Sequence, residues 1–190
     1  MMAVAPPPLS YAERIKPQAD APVRREIAAR STISLADITK NNINQVRRLN
    51  ALLLPIEYEE NVYDIALAED TNPICKLGLF NDIPVANICC RLEEGKDVTT
   101  WKVYVMTLAV LKPYRRLGIA DALLKHLLET AALGSTFAGR RINSIYLHVQ
   151  TGNEAAKRLY EQHGFQIVDT VDNYYKTLQP SSAWVLEKRA

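Results

Sequence analysis

The junction near the middle of the chain constrains the fold most. Trp101–Leu111 alternates Val103, Val105 and Thr107 against Tyr104, Met106 and Leu108, as a strand with two different faces does, and it ends at Pro113. Directly beyond it, residues 114–133 place Leu117, Leu123, Leu124, Leu127, Leu128 and Ala131 on one helical face, with Gly134 as the stop. A strand that runs within a few residues into a long amphipathic helix must lay that helix back on a sheet, so all-α and all-β folds are excluded.

The rest of the pattern supplies the sheet. Ile33 and Leu35 alternate with polar neighbours as a half-buried strand; Ile43, Val46, Leu49 and Leu53 then fall at helical spacing within Asn41–Leu53, opened by Thr39 and stopped by Pro55. Lys76–Phe80 and Pro84–Arg91 flank the turn pair Asn81-Asp82 and read as a hairpin, followed by a charged turn over Glu93–Asp97. Asn143–Val149 reads as a strand. Asn153–His163 reads as a helix, announced by Thr151-x-x-Glu154 and closed by Gly164, with Phe165–Val171 and Ser182–Lys188 as the last strands. No repeat of 20–50 residues is present, and the order β-α-β-β-β-α-β-α-β-β describes an α/β fold, a mixed sheet flanked by helices.

A chain of 190 residues can bury one continuous core without disulfide or metal staples. Five of its ten prolines lie in the first 22 residues, where apolar periodicity is absent, so residues 1–30 are expected to form a flexible leader and residues 31–190 the folded domain. The leader holds five of the 23 basic and three of the 21 acidic residues, leaving 18 of each sign in the body. A neutral body argues against nucleic-acid binding. The cysteines are odd in number, Cys75, Cys89 and Cys90, and the adjacent pair is badly placed for a bridge, which points to a reducing compartment, the cytosol or the nucleus. No stretch reaches the ~18–20 apolar residues of a membrane span, and the start MMAVAPPPLS lacks a basic segment followed by an apolar one.

Arg115-Arg116-Leu117-Gly118-Ile119-Ala120 sits where the central strand meets the long helix. Unpaired N–H groups and the positive dipole end at a helix start make an anion site, and Gly118 allows close backbone approach, so a pyrophosphate is a natural ligand. Taken alone, such a segment is more often a solvated basic turn that merely starts a helix.

It does not stand alone. Arg115, Gly118 and Ala120 fill the pattern (Arg/Gln)-x-x-Gly-x-(Gly/Ala), and Asn153-x-x-Ala156-x-x-x-Tyr160 followed by Gly164-Phe165 fills a second; in both, the chain resembles the GNAT acetyltransferases. LNALLLPIEY, YVMTLAVLKPYRRLGIA, IYLHVQ and NYYK sharpen the resemblance, over residues 31–188, to N-terminal acetyltransferases of the NatE type. Three departures bear on it: Leu54 where phenylalanine is usual, Glu57 between Ile56 and Tyr58, and Ala120 in place of the last motif glycine.

The resemblance implies a GNAT fold, a mixed and mostly antiparallel sheet whose central parallel strands, Trp101–Leu111 and Asn143–Val149, splay to admit acetyl-CoA. Leu108, Ala109 and Val110 would hold its arm by their backbone. Arg115, Arg116, Leu117, Gly118, Ile119 and Ala120 would hold the pyrophosphate, and Asn153, Ala156 and Tyr160 the region of the thioester, with Tyr160 donating to the leaving thiolate. Tyr104 and His148 match the catalytic pair, which positions a water that takes the amine's proton. Without the resemblance, a strand tyrosine is ordinarily a packing residue and a strand histidine a satisfied core residue. His126 and His163, on helices, read as structural or surface groups.

Leu54, Pro55 and Ile56 would wall an apolar pocket, Tyr58 and Met106 would touch the first substrate residue, and Tyr174, Tyr175 and Lys176 would clamp the peptide backbone. The implied reaction is direct attack by the α-amine of an N-terminus beginning with Met, an apolar residue such as Leu following, with no acyl-enzyme, no metal and the cysteines as spectators. The implied partners are a nascent chain and, at the ribosome, a large auxiliary subunit with a second catalytic subunit. Two other readings stay open: a weakly active acetyl-CoA-binding subunit that stabilises such a complex, and a lysine or small-amine acetyltransferase, against which the PxxY and NYYK loops argue.

Overall fold

The structure, a computed structural model, describes residues 31–95 and 99–190. The proline-rich leader lies outside them. Strand β1 (Ile33–Asp37) is followed by helices α1 (Ile43–Leu53) and α2 (Glu60–Leu67), then by the hairpin β2 (Lys76–Phe80) and β3 (Ile83–Glu94) and the central strand β4 (Thr100–Val110). After α3 (Ile119–Thr130) come a two-residue β5 (Thr136–Phe137), β6 (Arg140–Gln150), α4 (Glu154–Gln162), β7 (Gln166–Val171) and β8 (Ala183–Arg189). The strands form one mixed sheet in the order β1-β2-β3-β4-β6-β8-β7, with β5 paired to β6 and only β4 and β6 parallel.

The hairpin turns as its sequence demands: Asn81 and Asp82 both take positive φ, 49° and 64°, the primed turn that matches strand twist. Other boundaries move for identifiable reasons. Asn42 turns its side chain back, accepting from the Thr39 N–H at 2.7 Å and donating to the Asp37 carbonyl at 2.9 Å, so α1 starts at Ile43 and not at Asn41. Glu93 and Glu94, expected in a turn, remain in β3 opposite Lys102 and Trp101; the expected turn through Lys96 and Asp97 lies outside the described residues.

The long helix is shorter than its apolar pattern, because residues 112–114 form a 3-10 turn and positive φ at Arg116 and Gly118 holds the chain out of helix until Ile119. Leu117, expected on the apolar face, is 44% exposed. At α4 the cap is Asn153, whose side chain accepts from the Ala156 N–H; the Thr151 hydroxyl is engaged with Ser182 instead. Helix α2 had not been expected, and it buries Tyr63 and Ala66.

Helices cover both sheet faces. Ala86 and Asn87 are neighbours on β3 and so point oppositely. Ala86 lies under α3 beside Gly78, whose missing side chain leaves room for Ile119 and Leu123; Asn87 donates to Asn50 of α1 at 3.0 Å. Leu123, Leu124 and Leu127 of α3 are fully buried, each worth about 1.5–3 kcal/mol in burial.

Candidate active site

The candidate centre forms where the two parallel strands part. Pairs join β4 to β6 from Thr100–Arg141 to Tyr104–Tyr146 and stop there, while β4 continues along β3 to Val110 and β6 along β8 to Gln150. Tyr104 is therefore the last paired residue before the gap, and His148 stands two residues further along β6 on the face that Tyr146 shares. The Tyr104 hydroxyl lies 3.2 Å from His148 Nδ1 and 3.2 Å from the Tyr174 hydroxyl.

Past the pair, β4 carries a bulge. Cys89 opposes Thr107 and Cys90 opposes Val105, so Met106 is an extra residue on β4. A bulge leaves a residue out of the ladder. The Met106 carbonyl accepts the Tyr58 hydroxyl at 3.3 Å, which fastens the loop after α1 to the centre.

A cavity of about 910 Å³ runs from this centre in two directions. Toward α3 it is lined by Leu108, Ala109, Val110, Arg115, Arg116, Gly118, Ile119 and Ala120. Arg115 is extended (φ −71°), Arg116 is left-handed (φ 65°) and Gly118 left-handed (φ 85°), a chain path that gathers N–H groups in front of the helix dipole as an anion cradle. The Arg115 side chain folds back, its Nε donating to the Val110 carbonyl at 3.1 Å. Asn153, Ala156 and Tyr160 line the same arm; Tyr160 is buried edge-on to Phe165. Among the described residues no protein group bonds the Tyr160 hydroxyl, and burial pushes its pKa above the usual tyrosine range, so it enters the cavity as a protonated donor. These features fit acetyl-CoA: a cradle for pyrophosphate, unpaired strand edges for an amide-bearing arm, and a donor at the gap.

Toward the other end, Leu54, Pro55, Ile56, Tyr58, Met106, Tyr174 and Tyr175 line the cavity. Of the residues singled out from the sequence, Leu117 and Lys176 have side chains outside it, both exposed. The tyrosine loop is pinned: the Tyr175 N–H donates to the Ser181 carbonyl and Gln150 Nε2 to the Pro180 carbonyl, each at 2.8 Å. Residues not anticipated also line the cavity, among them Val62, Arg91, Gln150 and Leu178. Gln150 shares the strand face of Tyr146 and His148, a signal the sequence does carry; Val62 lies on the unexpected α2.

Electrostatics divide the roles of the central pair. The His148 pKa is lowered, first by burial, with Arg91 adding to the depression and Glu93 opposing it, so the ring is neutral near pH 7. Tyr104 is pushed far above the usual tyrosine range by burial and by its bond to Tyr174, so it keeps its proton. The pair offers one free base, His148, beside a phenol that can only pass a hydrogen bond. The other two histidines are engaged elsewhere, His126 with the Pro73 carbonyl at 2.9 Å and His163 with Asp121 at 2.8 Å. The three thiols are buried and free, the Cys90 N–H donating to the Cys75 sulfur at 3.2 Å. No cluster suited to a metal ion occurs among the described residues.

The chain is similar to known proteins in sequence and in fold. Residues 43–165 match the acetyltransferase (GNAT) family. The chain is 41% identical to zebrafish (Danio rerio) N-alpha-acetyltransferase 50 over 82% of its length and 88% of that protein. It is 39% identical to the probable N-acetyltransferase san of Drosophila melanogaster over 84% and 82%. The solved structure of Arabidopsis thaliana Naa50 with the bisubstrate analogue CoA-Ac-MVNAL superposes with a TM-score of 0.73 at 39% identity, covering 83% of this chain and 99% of that one. A strand gap, an anion cradle and this degree of likeness together place the chain in the GNAT family of acetyltransferases.

Proposed function

We propose that the protein acetylates the α-amine of N-termini that begin with Met, favouring an apolar second residue such as Leu, with His148 as the base. The coarser statement stands on the relatives: this is an acetyl-CoA-dependent N-terminal acetyltransferase. The peptide part of the Arabidopsis analogue, MVNAL, begins with Met and an apolar residue, and the pocket of Leu54, Pro55, Ile56 and Met106 offers the same kind of surface to a methionine side chain.

The observation that carries the mechanism is the 3.2 Å contact between the Tyr104 hydroxyl and His148 Nδ1 at the strand gap. An α-amine has a pKa of about 7.7–8, so at neutral pH most of it must lose a proton before it can attack. Acetyl-CoA supplies an electrophilic acetyl thioester when bound. His148, neutral and half-buried, takes the amine's proton through a water that Tyr104 orients. Arg115–Ala120 hold the pyrophosphate by backbone N–H groups, and Tyr160 donates a hydrogen bond where charge develops on sulfur. A phenol less acidic than a thiol stabilises the thiolate without surrendering its proton. Tyr58, Tyr174 and Tyr175 confine the peptide as an extended N-terminus, which discriminates against a lysine on a folded surface. The peptide arrives as a nascent chain in the cytosol, where an auxiliary subunit with a second catalytic subunit brings the enzyme to the ribosome.

The test is acetyl-CoA turnover by the full chain on peptides beginning Met-Leu, Ser-Glu and Glu-Glu and on an internal lysine with a blocked N-terminus. Met-Leu turnover that falls by about 10²–10⁴ in both His148→Ala and Tyr104→Phe supports the reading. Acetyl-CoA binding with no turnover of any peptide favours instead a non-catalytic subunit of a larger complex.

A further inference from the structure

Beside the catalytic couple lies a pair of charges that the proposed chemistry does not use. Arg91, Tyr104 and Tyr146 occupy one row across β3, β4 and β6. The Arg91 guanidinium sits 4.6 Å from the centre of the Tyr104 ring, and Tyr146 packs on the same ring at 4.9 Å. Glu93, one strand period beyond Arg91, joins them: one carboxylate oxygen takes Arg91 Nε at 2.7 Å and its terminal nitrogen at 2.6 Å, and the other takes the Tyr146 hydroxyl. Both charges are thereby fixed in place beside the couple, whose other neighbour Tyr174 stacks on His148.

We infer that Arg91 and Glu93 are positioning residues that set the basicity of His148 through two opposed and immobilised charges, with Tyr146 holding the carboxylate in place. This rests on the reading of His148 as the base. The geometry favours it over plain packing. A freely moving surface pair would present His148 with an averaged field near zero, whereas here a cation–π contact, a two-nitrogen grip and a tyrosine bond fix each charge against the aromatic row. The field at His148 has the matching signs, upward from Glu93 and downward from Arg91. The other groups facing the row are accounted for: Lys102, 5.7 Å from the Tyr146 ring, is bound at 3.5 Å to Glu187 of β8, which also takes Arg189 at 2.6 Å. From the loops, burial raises the Tyr58 and Tyr175 hydroxyls above the usual tyrosine range, so both are uncharged at working pH.

The experiment titrates the His148 Hε1 resonance in the full chain, identified by its loss in His148→Asn, alongside the pH profile of kcat/KM on a Met-Leu peptide. Glu93→Gln should lower the His148 midpoint and Arg91→Gln should raise it, each by about 0.5–1 pH unit after solvent screening, and the acid limb of kcat/KM should follow. Arg91→Lys keeps the charge and should keep the wild-type midpoint; it serves as the second test if the glutamine variant does not fold. Shifts of the same sign, or no shift in Glu93→Gln, overturn the assignment of Arg91 and Glu93 alone. A wild-type acid limb that does not coincide with the His148 titration overturns the base reading itself.

Discussion

Tyr174 lies flat on His148, ring centroids 4.3 Å apart and planes 10° from parallel, while its hydroxyl meets that of Tyr104 at 3.2 Å. One loop residue thus touches both members of the central pair. It limits imidazole rotation by stacking and occupies one side of the Tyr104 hydroxyl, leaving His148 Nδ1 on the other. The same residue is 38% exposed, so the ring that covers the pair stands at the solvent boundary.

Tyr174→Phe keeps the stack and deletes the hydroxyl; Tyr174→Ala deletes both. The phenylalanine variant should lose only a few-fold in kcat/KM, near the ~0.5–1.5 kcal/mol of one hydrogen bond, and the alanine variant roughly tenfold or more, with a raised peptide KM. Steady-state kinetics on a Met-Leu peptide separate the two. Equal losses would mean that stacking contributes nothing.

The pH dependence has a definite sign. Burial first of all depresses His148, so its proton is gone at a lower pH than the ~6.5 of a free histidine, and the acid limb of kcat/KM should have its midpoint below that value. Stability follows by linkage. Between the depressed native value and ~6.5 the unfolded chain binds more protons than the native one, so this group's contribution rises with pH across that window and is lost as pH falls through it. Urea unfolding of the wild type and His148→Gln on both sides of the window should show a smaller acid loss in the variant.

Much of this site was legible in one dimension because its parts are local. The anion cradle lies in six consecutive residues, and the period-2 alternation puts His148 with Tyr146 before any strand is paired; past Tyr104 the alternation fails, because the extra residue Met106 brings Thr107 onto the face of Cys89 and Asn87. What the sequence hides is set by pairing. The bulge that frees the Met106 carbonyl depends on how β4 registers against Cys89 and Cys90, and Arg91 reaches the centre only because β3 places it opposite Tyr104. Helix α2 is eight residues long, too short for its period to stand out, and its lining residue Val62 went with it. Leu117 fits a helical face in sequence yet precedes the helix, since two left-handed residues intervene where apolar spacing is blind to φ.

Gly118 separates conformational strain from steric clash. At φ 85° an added Cβ would meet only the tip of Ile33, at 3.9 Å, so Gly118→Ala introduces about 1–2 kcal/mol of left-handed strain without blocking the cavity. The cradle should relax away from its present path, raising the acetyl-CoA KM about five- to thirtyfold with kcat on saturated enzyme little changed. Titration calorimetry with CoA gives the same quantity without turnover. A drop in kcat at saturating acetyl-CoA, with binding intact, would place Gly118 in the chemistry instead of the grip.

Gly78 tests the opposite case, contact without strain. It lies in β2 under the first turn of α3, and a Cβ there would come within 3.0 Å of the Ala86 Cβ and of Ile119 Cγ2, and within 3.3 Å of Leu123 Cδ1. Ile119 and Leu123 are buried and Ala86 is fixed in a paired strand, so no neighbour is a flexible tip free to swing aside. Gly78→Ala should therefore push α3 off the sheet and lose about 1–3 kcal/mol in urea unfolding, the usual range for overpacking. Because Ile119, the first residue of α3, is also part of the anion cradle, the displacement should reach the ligand: acetyl-CoA ought to bind more weakly to the folded variant. Saturating CoA then stabilises wild type more than variant in thermal unfolding, by mass action on the native state. A variant that loses stability yet keeps the full CoA-induced rise in Tm would show that α3 and the cradle move independently.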